Sequence, residues 1–331
     1  MPHPQPSVKN RTNIRTITNL LIRRALIRSS FWVAPGRAAD RVARLFLAPR
    51  RRLIAAPAGF MARGQVGVTR SGDVSRETCL AVETPHGMVA AWCQGHDCNP
   101  TGPAALLVHG WEDDHVSLAP LAERLVQTGH RVLTLDLPGH GRSPLPPNRI
   151  TPLPMLAAAI AALGREAEAL QMTPFKAVIA HSLGGTAALL AATEQGLPAE
   201  RFAILAAPNH SRLFAHTLMA MLGLDARQTA MSFAAIERLT GRSLDSLHLP
   251  PKLRQLSAPG LILHSRDDRV VPLQHSRENA ATWPRAELRI LDGLGHRRLL
   301  SDPQVHSMLL RFVGAAAPAD TSRPWAIGER P

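Results

Sequence analysis

Ser182 lies in the stretch KAVIAHSLGGTAALL (176–190), where a short apolar run gives way to a small-residue, helix-like pattern. An unassisted serine hydroxyl is a poor nucleophile at neutral pH and needs a base within hydrogen-bond reach. Downstream, HSRDDRVVP (264–272) carries the adjacent carboxylates Asp267 and Asp268, and GLGHRRLL (293–300) carries His296. An imidazole can take the serine proton and return it to a leaving group. A buried carboxylate fixes the tautomer of that ring and stabilises its charged form. Only one of Asp267 and Asp268 can serve, because neighbouring loop residues do not both face one ring. Taken singly, Ser182 reads as an ordinary turn serine and His296 as a surface or capping histidine. Together, in the order serine, carboxylate, histidine, they point to covalent acyl transfer.

Such side chains need a scaffold that brings distant loops together. From about residue 75 the chain alternates between short apolar runs and helical patterns. TCLAVETP and MVAAWCQG, joined by HG, read as an antiparallel hairpin. AALLVHG, HRVLTLDLPGHGRS, FKAVIAHS, RFAILAAP, PGLILHS and AELRILDG read as further strands. Helical patterns fall between them, at Leu118–Thr128, over 152–169, from about Leu183, and at Asp302–Val313. This alternation predicts a mostly parallel, doubly wound α/β sheet, whose sites lie beyond the carboxyl ends of the strands. Ser182, the Asp267–Asp268 pair and His296 each follow such an end, as does the segment His109-Gly110-Trp111. The usual elbow around a nucleophilic serine opens with glycine two positions earlier. Here Ala180 stands there, and a methyl group is the least costly departure at a crowded turn.

LLVHGW, LDLPGHGRS, AHSLGG, HSRDDRVVP and GLGHRRLL, in that order and spacing, resemble the α/β-hydrolase superfamily over about residues 75–314. The resemblance implies the α/β-hydrolase fold, and the interval between ILAAP and PGLILH, too long for a structureless loop, is expected to hold a small helical lid beside the strand ends. It selects Asp268, because Ser265 occupies the glycine position of a Gly-x-x-Asp-x-x-Val-Pro pattern, and it leaves Asp267 to face elsewhere, toward Arg266 or Arg269. The expected set is therefore Ser182 as nucleophile, His296 as general base and acid, and Asp268 as its partner. The backbone N–H groups of Leu183, at a helix start, and of Trp111 are the expected oxyanion donors. His109, Gly110 and Gly184 would support them. The implied reaction is hydrolysis of a carboxylic ester or thioester through an acyl-enzyme, without cofactor or metal. A serine in the elbow argues against epoxide hydrolase and dehalogenase chemistry, which use a carboxylate there. A cofactor-independent lyase or oxygenase, or a non-catalytic ligand-binding member of the same fold, are the alternatives.

Composition narrows the partners. The chain has 331 residues, 45% of them hydrophobic, and a net charge of +13. Residues 1–52 hold twelve Lys and Arg against the single acid Asp40, so the charge belongs to an N-terminal arm. The body is close to neutral and does not read as a nucleic-acid-binding fold. His109, His140, His181 and His264 lie in separate loops without metal-ligand spacing. Cys79, Cys93 and Cys98 are too few for a disulfide framework and fit a reducing, cytoplasmic compartment. No compact apolar region with a cleavage site marks a secretory signal. Within the arm (1–60), RAADRVARLFLA puts Ala38, Val42, Leu45 and Phe46 on one helical face and Arg37, Arg41 and Arg44 on the other. Docking of this helix on the body is expected; membrane-surface contact and a transit peptide are alternatives. The preceding IRTITNLLIRRALIRSSFW is apolar and basic without a clean stripe. Residues 207–257 are expected to form the lid, and its Leu213, Phe214, Leu218, Met219, Met221, Leu222 and Phe233 either favour a small-molecule ester with an apolar acyl group or form the lid's own core. Residues 315–331 read as a tail.

Overall fold

The computed structural model describes residues 24–50, 67–69, 77–95 and 99–314. Expectations for the rest of the arm, for Cys98 and for the tail fall outside the described residues. In chain order, α1 (24–33) and α2 (Pro35–Leu47) precede β1 (Gly67–Thr69), β2 (Glu77–Thr84), β3 (Gly87–Gln94) and β4 (Ala104–Val108). Then follow α3 (Ala119–Gln127), β5 (Arg131–Leu135), α4 (Leu153–Ala169), β6 (Ala177–His181), α5 (Ser182–Gln195) and β7 (Phe202–Leu205). The chain ends with α6 (Ser211–Leu222), α7 (Ala226–Thr240), α8 (Leu249–Leu253), β8 (Gly260–Ser265), α9 (Leu273–Thr282), β9 (Ala286–Leu291) and α10 (Pro303–Val313). These elements form two compact units, residues 49–210 with 247–331, and residues 1–48 with 211–246.

The larger unit is built on one sheet of nine described strands in the order β1-β2-β3-β5-β4-β6-β7-β8-β9. The β1, β2, β3 and β5 neighbours pair antiparallel, and every pair from β5 to β9 is parallel. Neighbouring strand residues point to opposite faces, and both Leu106 and Leu107 of β4 are fully buried. Helices therefore cover both sides of the parallel part, as all-parallel sheets require. Each such leucine contributes about 1.5–3 kcal/mol over its exposed state. α10 shows how one helix joins this core. Asp302 caps it by accepting the N–H groups of Gln304 and Val305, and Val305, Leu309, Leu310 and Val313 are buried at helical spacing. The edge strand β9 alternates in exposure from Ala286 to Ile290. β1 escaped the sequence reading because a three-residue strand is too short to show a period; its backbone pairs with Thr78 and its neighbours in β2.

In the smaller unit α2 packs against α7 and α6. Its buried face consists of Ala38, Ala39, Val42, Ala43 and Leu47, so it is rotated from the expected one. Leu45 is 40% exposed and Leu47 takes the buried position. Small alanines, with no bulk to announce them, make the close approach between helices. The expected docking of this helix on the body takes the form of packing against α6 and α7 of the inserted segment. That segment is also shorter than 207–257: Leu249, Pro250 and Leu253 of α8 are buried, and α8 packs against α5 and α9 of the larger unit. Of the apolar residues singled out between the strands, Met219 and Leu222 are buried, whereas Leu213 and Met221 are exposed.

Candidate active site

The chain leaves β6 extended at His181 (φ −109°) and turns to φ 52° at Ser182 before entering α5. A positive φ on a side-chain-bearing residue is uncommon and costs about 1–3 kcal/mol, which the surrounding structure must sustain. Small residues make the turn possible. A Cβ on Gly184 would lie 2.0 Å from the carbonyl oxygen of His109, and one on Gly110 would lie 2.9 Å from the Cβ of Ser182. The loop after β4 and the start of α5 are thus pressed together through two glycines. Ala180, in place of the elbow's first glycine, is buried without displacing the turn.

Three loops converge here. Ser182 Oγ is 2.9 Å from Nε2 of His296, whose Nδ1 is 2.7 Å from Oδ2 of Asp268. The Asp268 side chain is fully buried and that of His296 is 10% exposed. The other oxygen of Asp268 accepts the backbone N–H groups of Val270 and Val271 at 2.7 and 2.9 Å. Burial raises the pKa of this carboxyl, but the His296 hydrogen bond and the two amides outweigh it and hold the group below its ordinary value. The bond to a carboxylate assigns a proton to Nδ1 of His296, leaving Nε2 free to accept from the serine.

Asp267 points away from the imidazole. Its Oδ1 accepts from the Ser265 hydroxyl at 2.5 Å and from the Gly295 N–H at 3.1 Å. The expected pairing with Arg266 or Arg269 does not form: Arg266 reaches Asp292 at 2.9 Å instead. The bonds from Ser265 and Gly295 satisfy Asp267 and leave no reason to recruit an exposed arginine. Ser265 Oγ also accepts the N–H groups of Leu294 and Gly295, each at 3.1 Å. The serine standing at the pattern's glycine position thereby ties the Asp268 loop to the His296 loop. Sequence reasoning noted that substitution without assigning it a role.

Other histidines brace the site. Nδ1 of His109 donates to the Gly110 carbonyl at 2.7 Å, and its Nε2 accepts the Leu137 N–H at 3.0 Å. Nε2 of His181 donates to the His296 carbonyl at 3.0 Å. Burial, followed by the nearby His296, lowers the His181 pKa to about 4, so it is neutral at pH 7. His140 lies edge-on to the indole of Trp111 at 5.0 Å. Asp136, fully buried, accepts from the backbone N–H and ring of His115 at 2.9 and 3.0 Å and from the Arg142 N–H at 2.6 Å, fixing the Gly-rich loop after β5. These roles for His181 and Asp136 escaped the sequence reading, because their partners, mostly backbone atoms, lie in remote or irregular segments. Among the described residues no group of three or more His, Cys, Asp or Glu is arranged to hold a metal ion.

A family profile described as the Alpha/beta hydrolase family matches residues 105–305, more than half of the chain. The chain belongs to the α/β-hydrolase family. Within this α/β hydrolase the matched stretch runs from β4 into α10 and contains Ser182, Asp268 and His296. Among its relatives is a pimeloyl-[acyl-carrier protein] methyl ester esterase of Xanthomonas campestris pv. campestris, 31% identical, aligned over 65% of this chain and 96% of that protein. A namesake from Xylella fastidiosa is 28% identical over 64% of this chain and 95% of its own length. An esterase of Pyrococcus furiosus superposes with a TM-score of 0.56 at 16% identity, covering 80% of this chain and 97% of that one. The Est1E protein of Butyrivibrio proteoclasticus, solved with ferulic acid, gives 0.57 at 18% identity, covering 71% and 99%. At such identities the structural likeness speaks for the α/β-hydrolase fold.

Proposed function

We propose that the protein is a serine hydrolase of carboxylic esters that works through an acyl-enzyme. The observation that carries this reading is the chain of contacts from Ser182 Oγ through His296 to Asp268, at 2.9 and 2.7 Å. Ser182 Oγ attacks the ester carbonyl carbon while its proton passes to Nε2 of His296. Asp268 keeps the ring in the accepting tautomer and stabilises the imidazolium that forms. The carbonyl oxygen becomes an oxyanion, held by the N–H of Leu183 at the start of α5 and by the N–H of Trp111. Collapse of the intermediate expels the alcohol, which takes the proton from His296. Water then repeats the sequence on the acyl-enzyme and releases the acid and Ser182.

The substrate is proposed to carry an apolar acyl group on a small alcohol or a thiol. The relatives named for a methyl ester of a carrier-bound pimeloyl chain support an ester of that type. A fluorophosphonate probe, with p-nitrophenyl and methyl esters of graded acyl length, tests the reading. Labelling and turnover are expected in the wild type and absent in Ser182→Ala. A wild type that neither labels nor hydrolyses any ester of the series would refute it and favour a lyase or a ligand-binding role.

A further inference from the structure

Helix α1 is apolar on two faces. Ile27 and Phe31, one turn apart, are buried and account for one of them. The other carries Leu26, Trp32 and Val33, which are 59%, 88% and 87% exposed. Arg28, also exposed, precedes Trp32 by four residues and shares its face. Trp32 and Val33 end the helix, and the non-helical backbone of Ala34 (φ −146°, ψ 73°) separates them from α2. They stand at the corner between α1 and α2. Beyond the corner Arg37, Arg41 and Arg44 continue an exposed basic face, while the apolar face of α2 is buried in its packing with α6 and α7. Asp40, the only acid among residues 1–52, is paired with Arg238.

We propose that this corner docks on an anionic lipid surface, with Trp32 and Val33 entering the boundary between headgroups and acyl chains and the arginines facing phosphates. An indole has an apolar body and a polar N–H, which suits that boundary. A protruding apolar tip finds its complement in a deformable lipid layer, whereas a protein partner would have to supply a matching pocket. Charge favours the same occupant: twelve basic residues against one acid in residues 1–52 match an anionic leaflet. No helix among the described residues is long and apolar enough to cross a membrane, so the proposed contact is peripheral. Such attachment needs both an apolar insertion and basic residues, and α1 offers both, with Arg28 one turn before Trp32.

Sedimentation of the full chain with vesicles of phosphatidylglycerol and phosphatidylethanolamine, against phosphatidylcholine vesicles, tests the proposal. Binding is expected to the anionic vesicles alone and should fall at least about tenfold between low and high salt. Tryptophan emission should shift to the blue on binding, by an amount that Trp32→Phe removes. Trp32→Ser/Val33→Ser should lower the partition coefficient at least about tenfold, and Arg28→Ser about fivefold. Both should keep the wild-type urea midpoint, because the replaced side chains are exposed. Absence of anionic-vesicle binding overturns the proposal, as does equal binding by the double-serine variant. A concentration-dependent dimer that the double-serine variant abolishes also overturns it, since a second copy would then cover the corner.

Discussion

Asp268 places Oδ2 2.7 Å from Nδ1 of His296, while Asp267 beside it turns its carboxylate to the Gly295 N–H. Two adjacent acids therefore support the same histidine loop in different ways. Asp268→Asn keeps the shape but offers an amide to the ring, so it favours the wrong tautomer and removes the charge that stabilises the imidazolium. A fall in kcat of about 10⁴-fold is expected on ester substrates. Asp267→Asn retains an oxygen for the Ser265 hydroxyl and the Gly295 N–H, and should lose no more than about tenfold. Steady-state kinetics of the two variants decide between them, and the reverse ranking would mean that Asp267 serves the chemistry.

Gly184 tests the packing of the elbow. A Cβ there would lie 2.0 Å from the His109 carbonyl oxygen, a backbone atom that cannot swing aside. Gly184→Ala should therefore displace the start of α5 from the loop after β4, lowering ester turnover by at least about a hundredfold, in keeping with a misplaced reacting group. Gly36→Ala is the control: nothing lies within 4 Å of its added Cβ, and alanine favours a helix over glycine by about 1 kcal/mol. Its melting temperature should hold or rise. Activity and melting curves of both variants check the contrast.

Much of the larger unit is legible because its strands are short, fully apolar runs and its reactive residues follow their carboxyl ends. Ser182 and Asp268 lie 114 and 28 residues from His296 along the chain, yet both meet it within hydrogen-bond distance. The mostly parallel sheet that joins them follows from the alternation of elements, whereas its strand order is read from the structure. What stayed hidden depends on contacts that sequence periodicity does not encode. Ser265 bonds to backbone amides 29 and 30 residues away, and nothing near residue 265 announces them. α8 looks like the end of an insertion until Leu249 and Leu253 are seen to be buried. The docked face of α2 was centred on its larger apolar residues, whereas Ala39 and Ala43, each nearly or fully buried, carry the close contact.

The α2–α7 contact separates burial from charge as sources of stability. Val42 is fully buried, and Val42→Ala removes two methyl groups from a packed site, costing about 1–3 kcal/mol with its cavity. Asp40 also bonds to Arg238 across this contact, but their side chains are 44% and 60% exposed. Water and salt screen such a pair, so Asp40→Asn should change stability by no more than about 0.5 kcal/mol. Urea unfolding, or proteolysis within residues 24–50, measures both. A larger loss in Asp40→Asn would show that the ion pair, and not the alanine-lined packing, holds the helix.

Buried histidines give the stability an acid limb distinct from that of the carboxylates. Burial is the largest influence on both His140 and His181 and lowers each to about 4 from an ordinary 6.5. As pH falls through 6.5 the unfolded chain binds protons that the folded state refuses. Stability therefore drops with falling pH until the folded groups protonate near 4, below which their contribution levels off. Each histidine contributes a slope of up to about 1.4 kcal/mol per pH unit across that window. Asp268 and Asp136 behave differently: their pKa values lie below an ordinary 3.8, so the stability they confer is kept throughout that window and is lost only at lower pH. Urea midpoints at pH 7, 6, 5 and 4 should fall steadily in the wild type, and His140→Gln should flatten the decline by about 3 kcal/mol over the range. The comparison is one of slopes, so a lower starting midpoint in the variant leaves the test intact. An unchanged slope would mean that His140 is protonated in the folded protein at the same pH as in the unfolded chain.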